Sequence, residues 1–158
     1  MLLVPLNTDA PIYHFPWATI GLIVVNVLMF GLTLSLASAD SIETIEFLIL
    51  EFDTINPLQW MTNNFMHSGP FHLIGNMFFL WGFGLIVEGK LGWKRFLLIY
   101  LAIGIVYGAI VQTTMFMLSG ESGALGASAA IYGLMGIAVI WAPKTISTVF
   151  FGLEFSRE

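Results

Sequence analysis

The chain contains no cysteine. That excludes a disulfide framework, a thiol nucleophile, a thiolate metal centre and a palmitoylation signal, while leaving the redox compartment open. Charge is nearly as scarce: 9% of the 158 residues are charged against 58% hydrophobic, and the mean hydropathy is +0.89. Soluble domains carry about a quarter charged residues, so too little charge is present to wet an ordinary globular surface. Bases are the rarest of all. Five Lys and Arg against ten Asp and Glu give a net charge of −5, with no basic stripe to neutralise phosphates, and nucleic acid is excluded as a partner. What remains is an integral protein of the lipid bilayer.

A bilayer span needs about 20 mostly apolar residues. Four stretches qualify: about Trp17 to Ser38, Pro70 to Val87, Phe96 to Leu118 and Gly126 to Ala142. Each is bounded by turn or charge signals, among them Asp40, Gly69-Pro70, Gly89 to Arg95, and Pro143-Lys144. Lipid cannot satisfy exposed backbone groups, so the spans should be helical. No fixed-period repeat or linker divides residues 1–158, which read as one all-α membrane domain. Thr145 to Phe155 is too short to span and reads as a fifth helix cut off. The first span lacks an N-terminal basic region and a small-residue cleavage site, and reads as a retained anchor.

Orientation follows from the bases. Lys90, Lys94 and Arg95 lie between spans two and three, and Lys144 and Arg157 follow span four. The other loops carry only acids: Asp40, Glu43, Glu46, Glu51, Asp53 and Glu121. The positive-inside rule then places both termini in the cytoplasm, in a plasma membrane of bacterial type, with the loop from Asp40 to Trp60 outside. Two readings of that apolar-acidic loop stand. Part of it lies in the interface with Phe47, Phe52 and Trp60 at headgroup depth, or it packs on the outer helix ends.

Polar residues at membrane depth are costly and draw attention as functional candidates. Asn26 and Gln112 are single amides of the kind that bond a neighbouring helix, and Glu88 is positioned to meet backbone donors or Lys90. His72 and Asn76 stand at i and i+4 and share a helix face, just after His67. Three histidines with no H-E-x-x-H spacing make no closed zinc set. In Gly126-Ala127-Ser128-Ala129-Ala130-Ile131-Tyr132-Gly133, Ser128 falls in the first turn of span four and shares a face with Tyr132. Gly126 admits a close backbone approach. Ala129, Gly133 and Gly136 form a small-residue packing seam. Singly, each feature suits plain helix packing. Together they bring a hydroxyl and hydrogen-bond donors to one depth, as nucleophilic catalysis requires.

These residues resemble the rhomboid intramembrane serine proteases. The resemblance runs through Phe65-Met66-His67, His72-Leu73-Ile74-Gly75-Asn76-Met77, Gly84, Val87-Glu88-Gly89-Lys90-Leu91-Gly92, Gly126-Ala127-Ser128-Ala129 and Tyr132-Gly133-Leu134-Met135-Gly136, in order. It implies a six-helix bundle that cleaves single-pass transmembrane proteins near the outer membrane face by a Ser–His dyad. Ser128 would be the nucleophile, and His72, Asn76 and main-chain N–H groups would hold the oxyanion. Gly126 would support the site and Tyr132 would stack on the dyad histidine. No metal or organic cofactor is implied, and oligomeric state does not follow. The sequence departs from the family at Ala129, usually glycine, and at Leu58-Gln59, where many members have Trp-Arg. No histidine follows Ser128, so the chain as given is expected to lack its general base and its proteolytic activity. The alternative is a non-catalytic rhomboid-like protein that grips transmembrane helices. A small transporter using Asn26, His72, Asn76 and Gln112 ranks below both, because no broken helix pair or inverted repeat is present.

Overall fold

The computed structural model describes residues 13–39, 42–118 and 123–144. Three helices are long and apolar enough to cross a membrane: α1 (Trp17–Ser38), α4 (Pro70–Leu91) and α5 (Trp93–Met117). Between α1 and α4 come α2 (Ile42–Glu46), the strand β1 (Leu50–Glu51), α3 (Pro57–Thr62) and a 3-10 turn at Asn63–Phe65. The strand β2 (Gly123–Ala124) then leads into α6 (Ser128–Trp141). An all-α membrane architecture is what the apolar runs predict.

Element ends depart from the sequence expectation where a tertiary contact intervenes. Helix α4 continues past Val87 because Glu88 is not an exposed terminus. Its carboxylate is fully buried and accepts hydrogen bonds from Ala18 N (2.8 Å), Thr19 N (2.7 Å) and the Thr19 hydroxyl (2.8 Å). The first turn of α1, which has no side-chain cap of its own, is thus capped from α4, and a carboxylate there also complements the helix dipole. Helix α4 stops at Gly92, whose φ of +77° favours glycine. Helix α5 starts one residue later, at Trp93 and not Phe96, and runs back antiparallel. Beside this turn, Tyr13 N and His14 N both donate to the Gly89 carbonyl, and Lys90 Nζ sits 5.0 Å over the Trp141 ring. The starts of α1 and α5 and the ends of α4 and α6 therefore share one end of the bundle, with Lys90, Lys94, Arg95 and Lys144.

Helix α6 is shorter than the expected span. Its 14 residues reach about 21 Å at 1.5 Å per residue, against a hydrocarbon core of about 30 Å. Gly126 (φ +118°) and Ala127 precede it, and Pro143 follows. Ala127, Ala130, Leu134, Ala138 and Ala142 are fully buried along one stripe against α4 and α5. Small residues let the backbones approach closely, and protein cover satisfies the condition for irregular backbone at membrane depth. Leu80, Phe83, Ile86 and Val87 of α4, Phe96 and Tyr100 of α5, and Leu22 of α1 complete the core. The outward faces carry Leu28, Ile74, Leu98, Ile110 and Ile140, an apolar surface suited to lipid.

The acidic loop is folded onto the opposite end of the bundle, and the packed reading holds for most of it. Leu50 and Phe52 are buried, while Phe47 is half exposed. Trp60 is tied down: its Nε1 donates to Gln112 Oε1 at 2.6 Å, and its main chain crosses Gly108, where a Cβ would meet Trp60 Cα at 3.0 Å. Gln112 Oε1 also accepts from Asn56 N at 3.1 Å. Its Nε2 donates to the Glu51 carbonyl and to Gln59 Oε1, both at 2.8 Å. Gln59, the departure from the family's Trp-Arg pair, is itself buried and accepts from Glu51 N at 3.2 Å. Antiparallel pairing of Leu50 with Ala124 and Glu51 with Gly123 joins this loop to the segment that enters α6. Asn26 bonds within its own helix, donating to the Leu22 carbonyl at 2.7 Å. The Thr145 to Phe155 segment and Arg157 lie outside the described residues.

Candidate active site

The candidate residues meet where the start of α4 faces the entry to α6. Gly69 and Pro70 set the beginning of α4, since proline at the first helical position loses no intrahelical bond. His72 and Asn76 then project from its first two turns on one face. Opposite them, Gly126 holds a positive φ, and its N–H donates to the Asn63 carbonyl at 2.9 Å. The 3-10 turn between α3 and α4 therefore fixes the backbone two residues before Ser128.

Gly126 is where the approach is closest. A Cβ there would stand 2.8 Å from His72 Cε1, 3.0 Å from His72 Nε2 and 3.7 Å from Asn76 Nδ2. Glycine leaves this point open, and two side-chain nitrogens converge on it. Asn76 is 8% exposed, and its Nδ2 has no hydrogen-bond partner. A buried unpaired donor is unfavourable, and no acceptor among the described residues reaches Asn76 Nδ2. His72 is engaged on its far side only, with Nδ1 3.0 Å from the Ser68 hydroxyl.

His67 lies beside His72 with ring centroids 5.2 Å apart in an edge-on arrangement. It is buried, and neither ring nitrogen has a hydrogen-bond partner. Burial pushes its pKa down to about 4; the neighbouring His72 adds to this, and the Phe65 main chain offsets it only in part. At neutral pH this ring is uncharged.

Ser128 is half-buried in the first turn of α6, where main-chain N–H groups have no intrahelical acceptor. Tyr132, one turn on, points outward and is 66% exposed. His72, Asn76 and Gly126 are thus brought together, Ser128 follows directly, and Tyr132 faces away from the described part of the cluster. His14 is at the opposite end of the bundle. Ser68 and Asn63 escaped attention in the sequence. The spacing of Ser68 four residues before His72 was the available signal for the first, and nothing local marks the second.

Two side-chain nitrogens facing the backbone ahead of a helix-start serine suit the binding of an oxyanion when both donate. The family model described as Rhomboid domain matches residues 56–155, from the cap of α3 through α6. The chain belongs to the rhomboid family. Among rhomboid relatives, the Bacillus subtilis (strain 168) protein named Rhomboid protease GluP is 38% identical over 136 residues, 82% of this chain and 26% of that protein. Rhomboid-like protease 2 of Toxoplasma gondii is 34% identical over 82 residues, 49% of this chain and 28% of that protein. RHOMBOID-like protein 6, mitochondrial, of Arabidopsis thaliana is 38% identical over 76 residues, 48% of this chain and 24% of that protein. The chain spans about a quarter of the length of these rhomboid relatives. No solved structure matches it.

Proposed function

We propose that these residues form the nucleophile and oxyanion half of a rhomboid-type intramembrane serine endopeptidase site. The convergence of His72 Nε2 and Asn76 Nδ2 on the open point at Gly126 carries the reading. Ser128 Oγ attacks the scissile carbonyl of a single-pass transmembrane substrate, and its proton passes to a general base. The carbonyl oxygen becomes an oxyanion, which accepts from His72, Asn76 and the free N–H groups at the start of α6. Gly126 keeps that space open, and Tyr132 contributes from the uncovered face of α6. The end of the bundle with His72 faces the outside, and the end with Lys90 faces the cytoplasm.

The histidines of the chain are His14, His67 and His72. His72 is assigned to the oxyanion, His14 is remote, and His67 precedes Ser128, whereas the dyad histidine that the resemblance implies follows the serine; the base is therefore one that these 158 residues do not supply. A serine without a base is a weak nucleophile, and the 158 residues by themselves are read as inactive. The test is fluorophosphonate labelling of the protein isolated from its native membrane. Capture at Ser128 is expected, abolished by Ser128→Ala and reduced about 10²–10³-fold by Asn76→Ala, the typical effect of losing an oxyanion donor. Labelling or substrate cleavage that survives Ser128→Ala would end the reading.

A second reading has one observation in its favour. The face of α6 bearing Tyr132, Gly136, Val139 and Ile140 is uncovered among the described residues, as in a protein that grips a transmembrane helix without cutting it. In that case helices co-purify intact, and Ser128→Ala changes nothing.

A further inference from the structure

We propose that Ser68 is a positioning residue that fixes the tautomer of His72, holding the proton on Nε2 so that this nitrogen donates into the space beside Gly126. The proposal rests on the oxyanion reading of His72 and adds to it a residue that has no contact with that space.

A neutral imidazole carries one proton, so one ring nitrogen donates and the other accepts. Which is which depends on the partner each nitrogen finds. On the outer side, His72 Nδ1 is 3.0 Å from the Ser68 hydroxyl, a group able to play either role. The inner side decides between them. Nε2 and Asn76 Nδ2 lie 3.0 and 3.7 Å from the point that a Cβ on Gly126 would occupy. Were Nε2 an acceptor, it would stand next to a buried amide donor in need of one. Asn76 Nδ2 instead has no partner. Two donors sharing the space beside Gly126 account for that arrangement. Nε2 then bears the hydrogen, Nδ1 bears the lone pair, and Ser68 donates to it.

Position makes Ser68 the group suited to this task. It lies four residues before His72, in the short segment ahead of Pro70, and no other hydrogen bond to the His72 ring occurs among the described residues. His67, against the other side of the ring, offers an edge and no bond. Without the Ser68 hydroxyl, the Nδ1–H form is no longer disfavoured, and His72 presents a lone pair to a developing oxyanion.

The test is the 15N spectrum of the histidine rings in the purified protein, labelled at histidine and held in lipid nanodiscs at neutral pH, with His72 assigned by difference against His14→Gln and His67→Gln. Expected are an Nε2–H form for His72 in the parent, a mixture of both tautomers in Ser68→Ala, and return to the parent form in Ser68→Thr, which keeps the hydroxyl. Nδ1–H in the parent, or an unchanged tautomer in Ser68→Ala, would overturn the proposal. Ser68 is exposed, so its removal leaves the core intact, and Ser68→Thr supplies a second folded variant. The protease reading fails by a different result, cleavage that survives Ser128→Ala, which leaves the ring measurement to be judged separately. In the protein isolated from its native membrane, Ser68→Ala lowers Ser128 labelling about two- to tenfold, the range of one ordinary hydrogen bond, and Ser68→Thr restores it.

Discussion

Two groups of buried polar side chains are treated in opposite ways. Around Gln112 every hydrogen-bonding capacity is used: both donors and two acceptor contacts reach Glu51, Asn56, Gln59 and Trp60. Around His72 the inventory is left open, with Asn76 Nδ2 and both nitrogens of His67 unpaired. Low local polarity strengthens a completed network and penalises an incomplete one. The first group therefore serves to hold the chain together. The second is kept at some cost to stability, as a site awaiting an acceptor would be.

Substitutions separate the two groups, beginning with a third, fully satisfied cluster. Glu88→Ala strands the Ala18 and Thr19 donors inside the bundle and is expected to cost at least about 3 kcal/mol, read as a loss of unfolding free energy in micelles; a change under about 1 kcal/mol would contradict the capping account. Gln112→Leu should cost about 2–3 kcal/mol and speed proteolysis within residues 42–65, since that amide alone joins α5 to three parts of the loop. Protection equal to the parent would show that the loop is held by packing alone.

Gly126→Ala tests the junction between the two groups. A Cβ at φ +118° is strained, and it would strike the His72 ring at 2.8 Å. A loss of about 1–3 kcal/mol is expected together with loss of Ser128 labelling, and retained labelling would mean that the approach of His72 to this backbone is unimportant.

Acid tests the unsatisfied group directly. His67 has its native pKa held at about 4, below the 6.5 of an exposed histidine, so the unfolded state binds more protons between these values. Stability is then complete above pH 6.5 and declines as the pH falls toward 4. His67→Phe should flatten that part of the stability–pH curve, and an unchanged slope would assign the acid response to other groups. The smallest effect is expected from Asn76→Ala, within about 1 kcal/mol of the parent, because its Nδ2 forms no bond to lose. A cost like that of Gln112→Leu would erase the distinction between the two groups.

Helix α1 was legible in the sequence to its boundary residues, since an uncharged apolar run between Pro16 and Asp40 leaves few alternatives. The end of α4 was not, because Glu88 looks like a terminus until α1 is present to satisfy it. The length of α6 was also hidden. Gly126-Ala127 reads as helix by hydropathy, and only its contact with His72 and Asn63 shows why the backbone stays irregular there. For the candidate site, the i, i+4 spacing exposed the His72–Asn76 pair, and in the fold both side chains lie beside Gly126. Gln59 and Gln112 carried no such signal. Amides 53 residues apart in chain order become a hub only through the fold of the loop between α1 and α4.

The cap on α1 also bears on the order of assembly. Its first donors, Ala18 N and Thr19 N, are satisfied by a carboxylate 69 and 70 residues downstream. During synthesis, α1 enters the bilayer long before that carboxylate exists. Its depth in the membrane is therefore provisional at first, set by hydropathy alone, and becomes fixed when α4 arrives and Glu88 engages the start of α1. A helix made earlier is thus locked in register only by one made later.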